Sequence, residues 1–226
     1  MIRQASAAEV EYYEKVLYPF QDQIFPLIRN DAFYLSGGTC LSRFYYQHRF
    51  SDDLDFFFDG QQSSREAFEV ASRDVVNRIA DRFRLEMTVN GEYFKRFMAY
   101  QDGQALKVEF IYENYKNIGV RQKVGPVVID TKENLATHNL TAVYDRKTVK
   151  DYVDLYYLLR EIPFEQAVEW AQQKIVPLDY EGLVLTFADR RLEGEVLLRK
   201  ELSEGDFSEF VNDLIRRMLD YGRHSG

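Results

Sequence analysis

With Cys40 as its single cysteine, the chain has no internal disulfide to form. No N-terminal signal pattern is present, nor any apolar run long enough to cross a bilayer, so the sequence predicts a cytoplasmic protein with no membrane partner. Basic charge is in short supply. The 29 Lys and Arg stand against 37 Asp and Glu, and the net charge of -8 excludes broad nonspecific nucleic-acid binding while leaving room for a local basic patch. Internal repeats, low-complexity tracts and coiled-coil heptads are missing. Cys40 has no basic partner in the sequence and reads as a small buried residue, not a nucleophile.

What is present fits a folded soluble protein, with 46% hydrophobic and 29% charged residues in a length that suits one large domain or two small ones. The sixteen Tyr and seventeen Phe are expected mostly in the core, with a stacking platform for a base as a second use. Ser6 and Glu9 form a capping-box pattern ahead of a helix to Tyr18, which Pro19 and Pro26 are expected to interrupt. A second short helix is expected over 21–29. Ser64 to Phe83 reads as an amphipathic helix, with Phe68, Ala71, Val75 and Ile79 on one side. Strands follow over 85–89, 93–100 and 105–112, the last two joined by an Asp102-Gly103 hairpin turn. After a short strand at 127–129 the chain becomes helix-rich, over 131–145, 148–160, 164–174, 179–192 and 207–221. The boundary is placed there, between residues 1–130 and 131–226.

Chemistry concentrates between Ser36 and Phe58. The apolar run 32–35 predicts a buried strand, Gly37-Gly38 a tight turn, and Thr39 the start of a helix to about His48. The glycine turn thus empties onto a helix N-terminus, whose unpaired N–H groups and dipole suit a phosphate. Leu54 to Phe58 is strongly strand-like, so Asp53 and Asp55 share one face and Leu54 and Phe56 the other. Adjacent carboxylates repel each other, and a hard divalent cation such as Mg²⁺ relieves this. Taken alone, the glycines read as a plain turn and the aspartates as the wet face of an edge strand. A calcium loop does not fit, because its glycine is absent, and neither does a phosphatase-type nucleophile at Asp53, because no apolar strand precedes it.

Read as Gly-Gly-Thr-x-Leu, a spacer, then His48-Arg49-x-Ser51-x-Asp53-x-Asp55-Phe56-Phe57, the stretch resembles the signature of the AbiEii/AbiGii toxin family of nucleotidyltransferases, within the polymerase-β-like superfamily. The resemblance implies an α+β fold with a mixed β-sheet and a C-terminal helical region. It also implies a third carboxylate on a later strand beside the Asp-x-Asp strand. Glu109 is the match, opposite in parity to Leu106, Val108 and Phe110. A solvated carboxylate paired with Lys107 or Lys95 is the other reading of that residue.

A second motif lies at Lys150-Asp151-x-x-Asp154-Leu155, on a helix apolar around most of its circumference. It resembles the family's late Arg/Lys-Asp-x-x-Asp-Leu run. Asp151 also fits a capping box with Thr148, whereas Asp154 needs a partner of another kind. The family's lysine just upstream is replaced by Asn139, for which His138 or Lys150 would have to substitute.

The resemblance implies a metal-dependent nucleotidyltransferase that releases pyrophosphate from a nucleoside triphosphate such as ATP. Asp53, Asp55 and Glu109 would be catalytic and would hold two Mg²⁺. Gly37, Gly38, Thr39, Arg49, Ser51, Lys150, Asp151 and Asp154 would hold the nucleotide, with Asp154 orienting Lys150 or the acceptor. Ser51 either contacts phosphate or caps the turn, and His48 is either a site residue or a packed one. A tRNA or protein acceptor, a cognate antitoxin and a role in toxin–antitoxin or phage-abortive-infection systems are the implied partners and setting. The alternative is a catalytically weakened fold that binds nucleotide or a protein.

Overall fold

The protein is described by a computed structural model covering residues 1–174, 182, 184–186, 189 and 192–224. Seven strands form a mixed sheet: β2 (Phe33–Ser36), β3 (Leu54–Asp59), β4 (Arg84–Asn90), β5 (Phe94–Gln101), β6 (Gln104–Glu113), β7 (Gln122–Val124) and β8 (Val127–Ile129). Their spatial order is β4-β5-β6-β3-β2-β8-β7, with β3 parallel to β6 and antiparallel to β2. The helices are α1 (Ala7–Tyr12), α2 (Tyr18–Ile24), α3 (Gly37–Cys40), α4 (Arg65–Ala80), α5 (Lys132–Asp145), α6 (Val149–Leu158), α7 (Phe164–Lys174) and α8 (Glu204–His224). The helix expected over 179–192 falls largely outside the described residues. A separate parallel pair joins β1 (Ile2–Gln4) to β9 (Val196–Leu198).

Strand parity divides the sheet into two faces with different work. Leu54, Phe56 and Phe58 of β3 and Leu106, Val108 and Phe110 of β6 point to one face and are fully buried. Helix α4 covers that face, with Phe68 against Phe33 and Phe58. Each such aromatic is worth about 1.5–3 kcal/mol on burial, which fixes the register of both strands. The opposite face then has no choice but to carry Asp55, Phe57, Lys107, Glu109 and Glu113, beneath α5 and α6.

Three local expectations are corrected. Pro19 does not break the first helix: α1, capped by Ser6 and Glu9 as expected, passes through a π-type turn at Tyr13–Leu17 into α2. The wider turn just ahead of Pro19 accommodates a residue without N–H. Gly37 and Gly38 form no separate turn but are the first residues of α3, which continues through a π-type turn at Leu41–Tyr45 and stops short of His48. Gln47, at φ 51°, redirects the chain there. Thr148 does not cap α6 through its side chain; its hydroxyl donates to the Asp151 carboxylate instead.

Candidate active site

The β3–β6 register sets Asp55 directly beside Glu109, and the β2–β3 register sets it beside Ser36. Asp53, one residue before β3, faces the same way. Two cations answer these three carboxylates. Lys107 Nζ lies 2.8 Å from Asp53 Oδ2 and 3.2 Å from Glu109 Oε1, and Arg96 Nε donates to Glu109 Oε1 at 2.6 Å. Lys95, the other cation considered for Glu109, pairs with Glu69 instead.

The two adjacent carboxylates are held in different states. Burial, then the negative charge of Glu109, pushes the Asp55 carboxyl up to about 7, and its Oδ1 is shielded from solvent with no hydrogen-bond partner. Glu109 moves the other way. Burial works against its ionised form, but the Arg96 hydrogen bond and the charge of Lys107 keep it below the ordinary carboxylate range.

Gly37 and Gly38 are there because nothing larger fits. Gly37 sits at φ +65°, and a Cβ on it would stand 2.9 Å from Asp55 Oδ2. A Cβ on Gly38 would stand 2.2 Å from Arg49 Nη2. The Arg49 guanidinium beneath Gly38 is fixed by a two-pronged pair with Asp154, both bonds 2.7 Å, and His48 Nε2 meets the same carboxylate at 2.7 Å. All three side chains are buried. Burial alone would raise Asp154, yet the Arg49 charge holds it at about 2, while burial lowers His48. Asp154 is therefore taken up by Arg49 and His48, not by Lys150.

Gly38→Ala is expected to pry this pair apart. The locked guanidinium has to yield to the new methyl, at about 1–3 kcal/mol of stability and a lower melting temperature. An unchanged melting curve would show that Arg49 moves freely.

Thr39 is buried, donates to the Asp53 carbonyl and lies 2.9 Å from the Ser51 hydroxyl, so it ties α3 to the segment leading into β3. It is set back from the cavity that the other predicted residues surround. That cavity, about 430 Å³, lies between the carboxylate face and α5–α6. Gly37, Gly38, Arg49 and Ser51 bound one side, Asp53, Asp55 and Glu109 the floor, and Lys150, Asp151 and Asp154 the helical wall. Asp151 is held by Arg146 at 2.9 Å and 3.0 Å. Lys150 makes no hydrogen bond or ion pair among the described residues. Asn139 also lines the wall, with its amide donating to the Leu135 carbonyl at 2.9 Å.

At the far end of the cavity sequence reasoning named only His138 and missed the residues around it. There Glu113 accepts from Tyr34 at 2.6 Å, faces His138 Nε2 at 2.8 Å and lies 3.5 Å from the buried Lys174, while His138 stacks on Phe57. Glu113 was accessible to parity, four residues after Glu109 on the same face. Lys174, from a distant helix, had no local signal.

The sequence model of a family described as the nucleotidyl transferase AbiEii toxin of type IV toxin–antitoxin systems matches residues 27–223. An uncharacterised protein of Aquifex aeolicus is 31% identical over 140 residues, which is 59% of this chain and 60% of that protein's length. The fold resembles that of JHP933 from Helicobacter pylori, at a TM-score of 0.60 and 19% identity over 98% of this chain and 97% of that one. It also resembles MenT4, a nucleotidyltransferase toxin of Mycobacterium tuberculosis, at 0.61 and 15% over 91% and 83% respectively. Among the described residues no helix is long and apolar enough to cross a membrane.

Proposed function

Because the chain belongs to the AbiEii nucleotidyl transferase toxin family, we propose that it transfers a nucleotidyl group from a nucleoside triphosphate to an acceptor hydroxyl, on RNA such as tRNA or on a protein. The observation that carries this reading is the in-register meeting of Asp55 and Glu109, with Asp53 alongside, at the floor of a cavity edged by Gly37 and Gly38. The hydroxyl oxygen attacks the α-phosphorus, the bond to the bridging oxygen breaks, and pyrophosphate leaves. The hydroxyl proton passes to a carboxylate of the cluster.

A divalent cation such as Mg²⁺, two ions in the fullest form, fits the donor set. All donors are carboxylate oxygens, and the shielded Asp55 Oδ1 has no hydrogen-bond partner of its own. When bound, Mg²⁺ supplies countercharge to the phosphates and acidifies the attacking hydroxyl. Gly37 and Gly38 admit the phosphates closely, Arg49 supports Gly38 from below, and Lys150 brings a free ammonium to the same space. Thr39, Ser51 and Asp151 hold the framework around them. In this reading residues 1–130 are the nucleotidyltransferase core and 131–226 the helical part that closes the cavity, in a cytoplasmic protein restrained by a cognate antitoxin.

A second reading is favoured by Asn139, which offers a neutral amide where the family has lysine: a weakened enzyme that chiefly binds nucleotide or a protein. One assay separates the two. The four nucleoside triphosphates, labelled at the α- or γ-phosphate, are incubated with Mg²⁺, total RNA and total protein. Transfer of α-label, with none of γ-label, and its loss in Asp53→Ala, is the expected result. Binding without transfer would favour the second reading, and γ-label transfer would overturn the first.

A further inference from the structure

We propose that Lys107 is a resident counter-ion of the carboxylate cluster, displaced by a divalent cation and then paired with the phosphates of the bound nucleotide. This rests on the metal-dependent reading above. Lys107 precedes Glu109 by two residues on β6, so it projects from the same face, and the β3–β6 register continued by one step sets it opposite Asp53. Its ammonium lies against Asp53 Oδ2 and Glu109 Oε1, two of the oxygens a cation would use. Ammonium and divalent cation cannot share those oxygens, because like charges in contact repel and each needs the same lone pairs.

The arrangement among the described residues agrees with this. The Lys107 ammonium stands between the Asp53 and Glu109 carboxylates, in contact with both. Arg96 is different. Its planar guanidinium holds Glu109 alone and can remain there when a cation arrives.

Lys107 is partly exposed and carries a flexible four-carbon stem, so it is free to swing once its carboxylates are taken. The cavity decides where it goes. Ser36, just ahead of Gly37 at the start of α3, and Glu109 stand on strands two spacings apart, roughly 10 Å, which a triphosphate lying along the cavity floor bridges. A lysine on β6 thus reaches the phosphates from the side opposite Gly37 and Gly38. The same residue excludes the cation from the empty site and welcomes the cation–nucleotide complex.

Charge sets opposite signs for the two effects. Three carboxylates against Lys107 and Arg96 leave one net negative charge when all are ionised, and Lys107→Met leaves two. Calorimetric titration with Mn²⁺ alone is expected to show Lys107→Met binding about tenfold tighter than wild type, and titration with inorganic triphosphate at saturating Mn²⁺ about tenfold weaker. Lys107→Arg should stay near wild type in the first titration. A structural role would weaken both affinities together, and that result overturns the proposal. So does Mn²⁺ binding in the variant no tighter than in a wild type that does bind it. If neither protein binds Mn²⁺, with or without triphosphate, the metal-dependent reading itself fails and takes this inference with it.

Discussion

Asp55→Asn is expected to abolish nucleotidyl transfer and, in the same protein, to raise the melting temperature of the metal-free form at pH 8. Loss of activity follows from removing a charged oxygen donor at the centre of the cluster, with a fall of about a hundredfold or more in turnover. The stability gain follows from the raised Asp55 carboxyl. A carboxyl that titrates at about 7 in the fold and near the ordinary carboxylate value in the unfolded chain favours its neutral form on folding. Its contribution is complete below the unfolded value and is lost as pH rises through about 7. At pH 8 the ionised Asp55 costs on the order of 2–4 kcal/mol, the upper figure being the full shift and the lower allowing for solvent at its half-buried residue. Asparagine keeps the shape without the charge. The wild-type melting temperature should therefore decline across pH 4–7 relative to the variant, and Mg²⁺ together with a nucleoside triphosphate should raise the wild type only. Parallel curves for the two proteins across that range would show that Asp55 carries no such strain.

The second large effect concerns Asp154. Asp154→Ala leaves the buried Arg49 guanidinium without its counter-charge and should cost about 3–5 kcal/mol. For a chain of this size that is a drop of roughly 10 °C or more in melting temperature. Nucleotide affinity falls with it, since Arg49 underlies Gly38. Arg49→Met combined with Asp154→Leu should recover much of the loss, because a well-packed apolar pair needs no charge balance. Additive losses in the double variant would mean the two side chains act independently. Acid has a related effect. His48, kept neutral by burial, adds stability above its ordinary value that is lost as pH falls below it, and Asp154 gives way only near 2.

Much of the site was legible because two-residue periodicity is rigid. Once Leu54, Phe56, Val108 and Phe110 are assigned to the core, Asp55 and Glu109 have only one face left, and the parallel pairing makes them neighbours. The glycine motif and the buried helix with Asp154 were legible for the same reason: each is a local pattern. What was hidden lies far apart in sequence. Arg49 and Asp154 are 105 residues apart, and nothing near either one names the other. Lys107 was weighed as a partner of Glu109, but its bond to Asp53 depends on strand order, which periodicity does not reveal. Pro19 and Thr148 misled because a proline and a capping pattern have more than one local solution, and packing chooses between them.

The parallel pairing of Ile2–Gln4 with Val196–Leu198 has a consequence for how the protein comes into being. The same late strand also accepts from Phe50 through Leu197 and is followed by Arg199, which donates to the His48 carbonyl. The segment that holds Arg49 in place is thus braced by residues made long after it. At about 5–20 residues per second, β1 waits on the order of 10–40 s for its partner to emerge from the ribosome. A nascent chain has its sheet and its carboxylates early but not the brace beneath Gly38, so the cavity matures only once translation has passed Leu198.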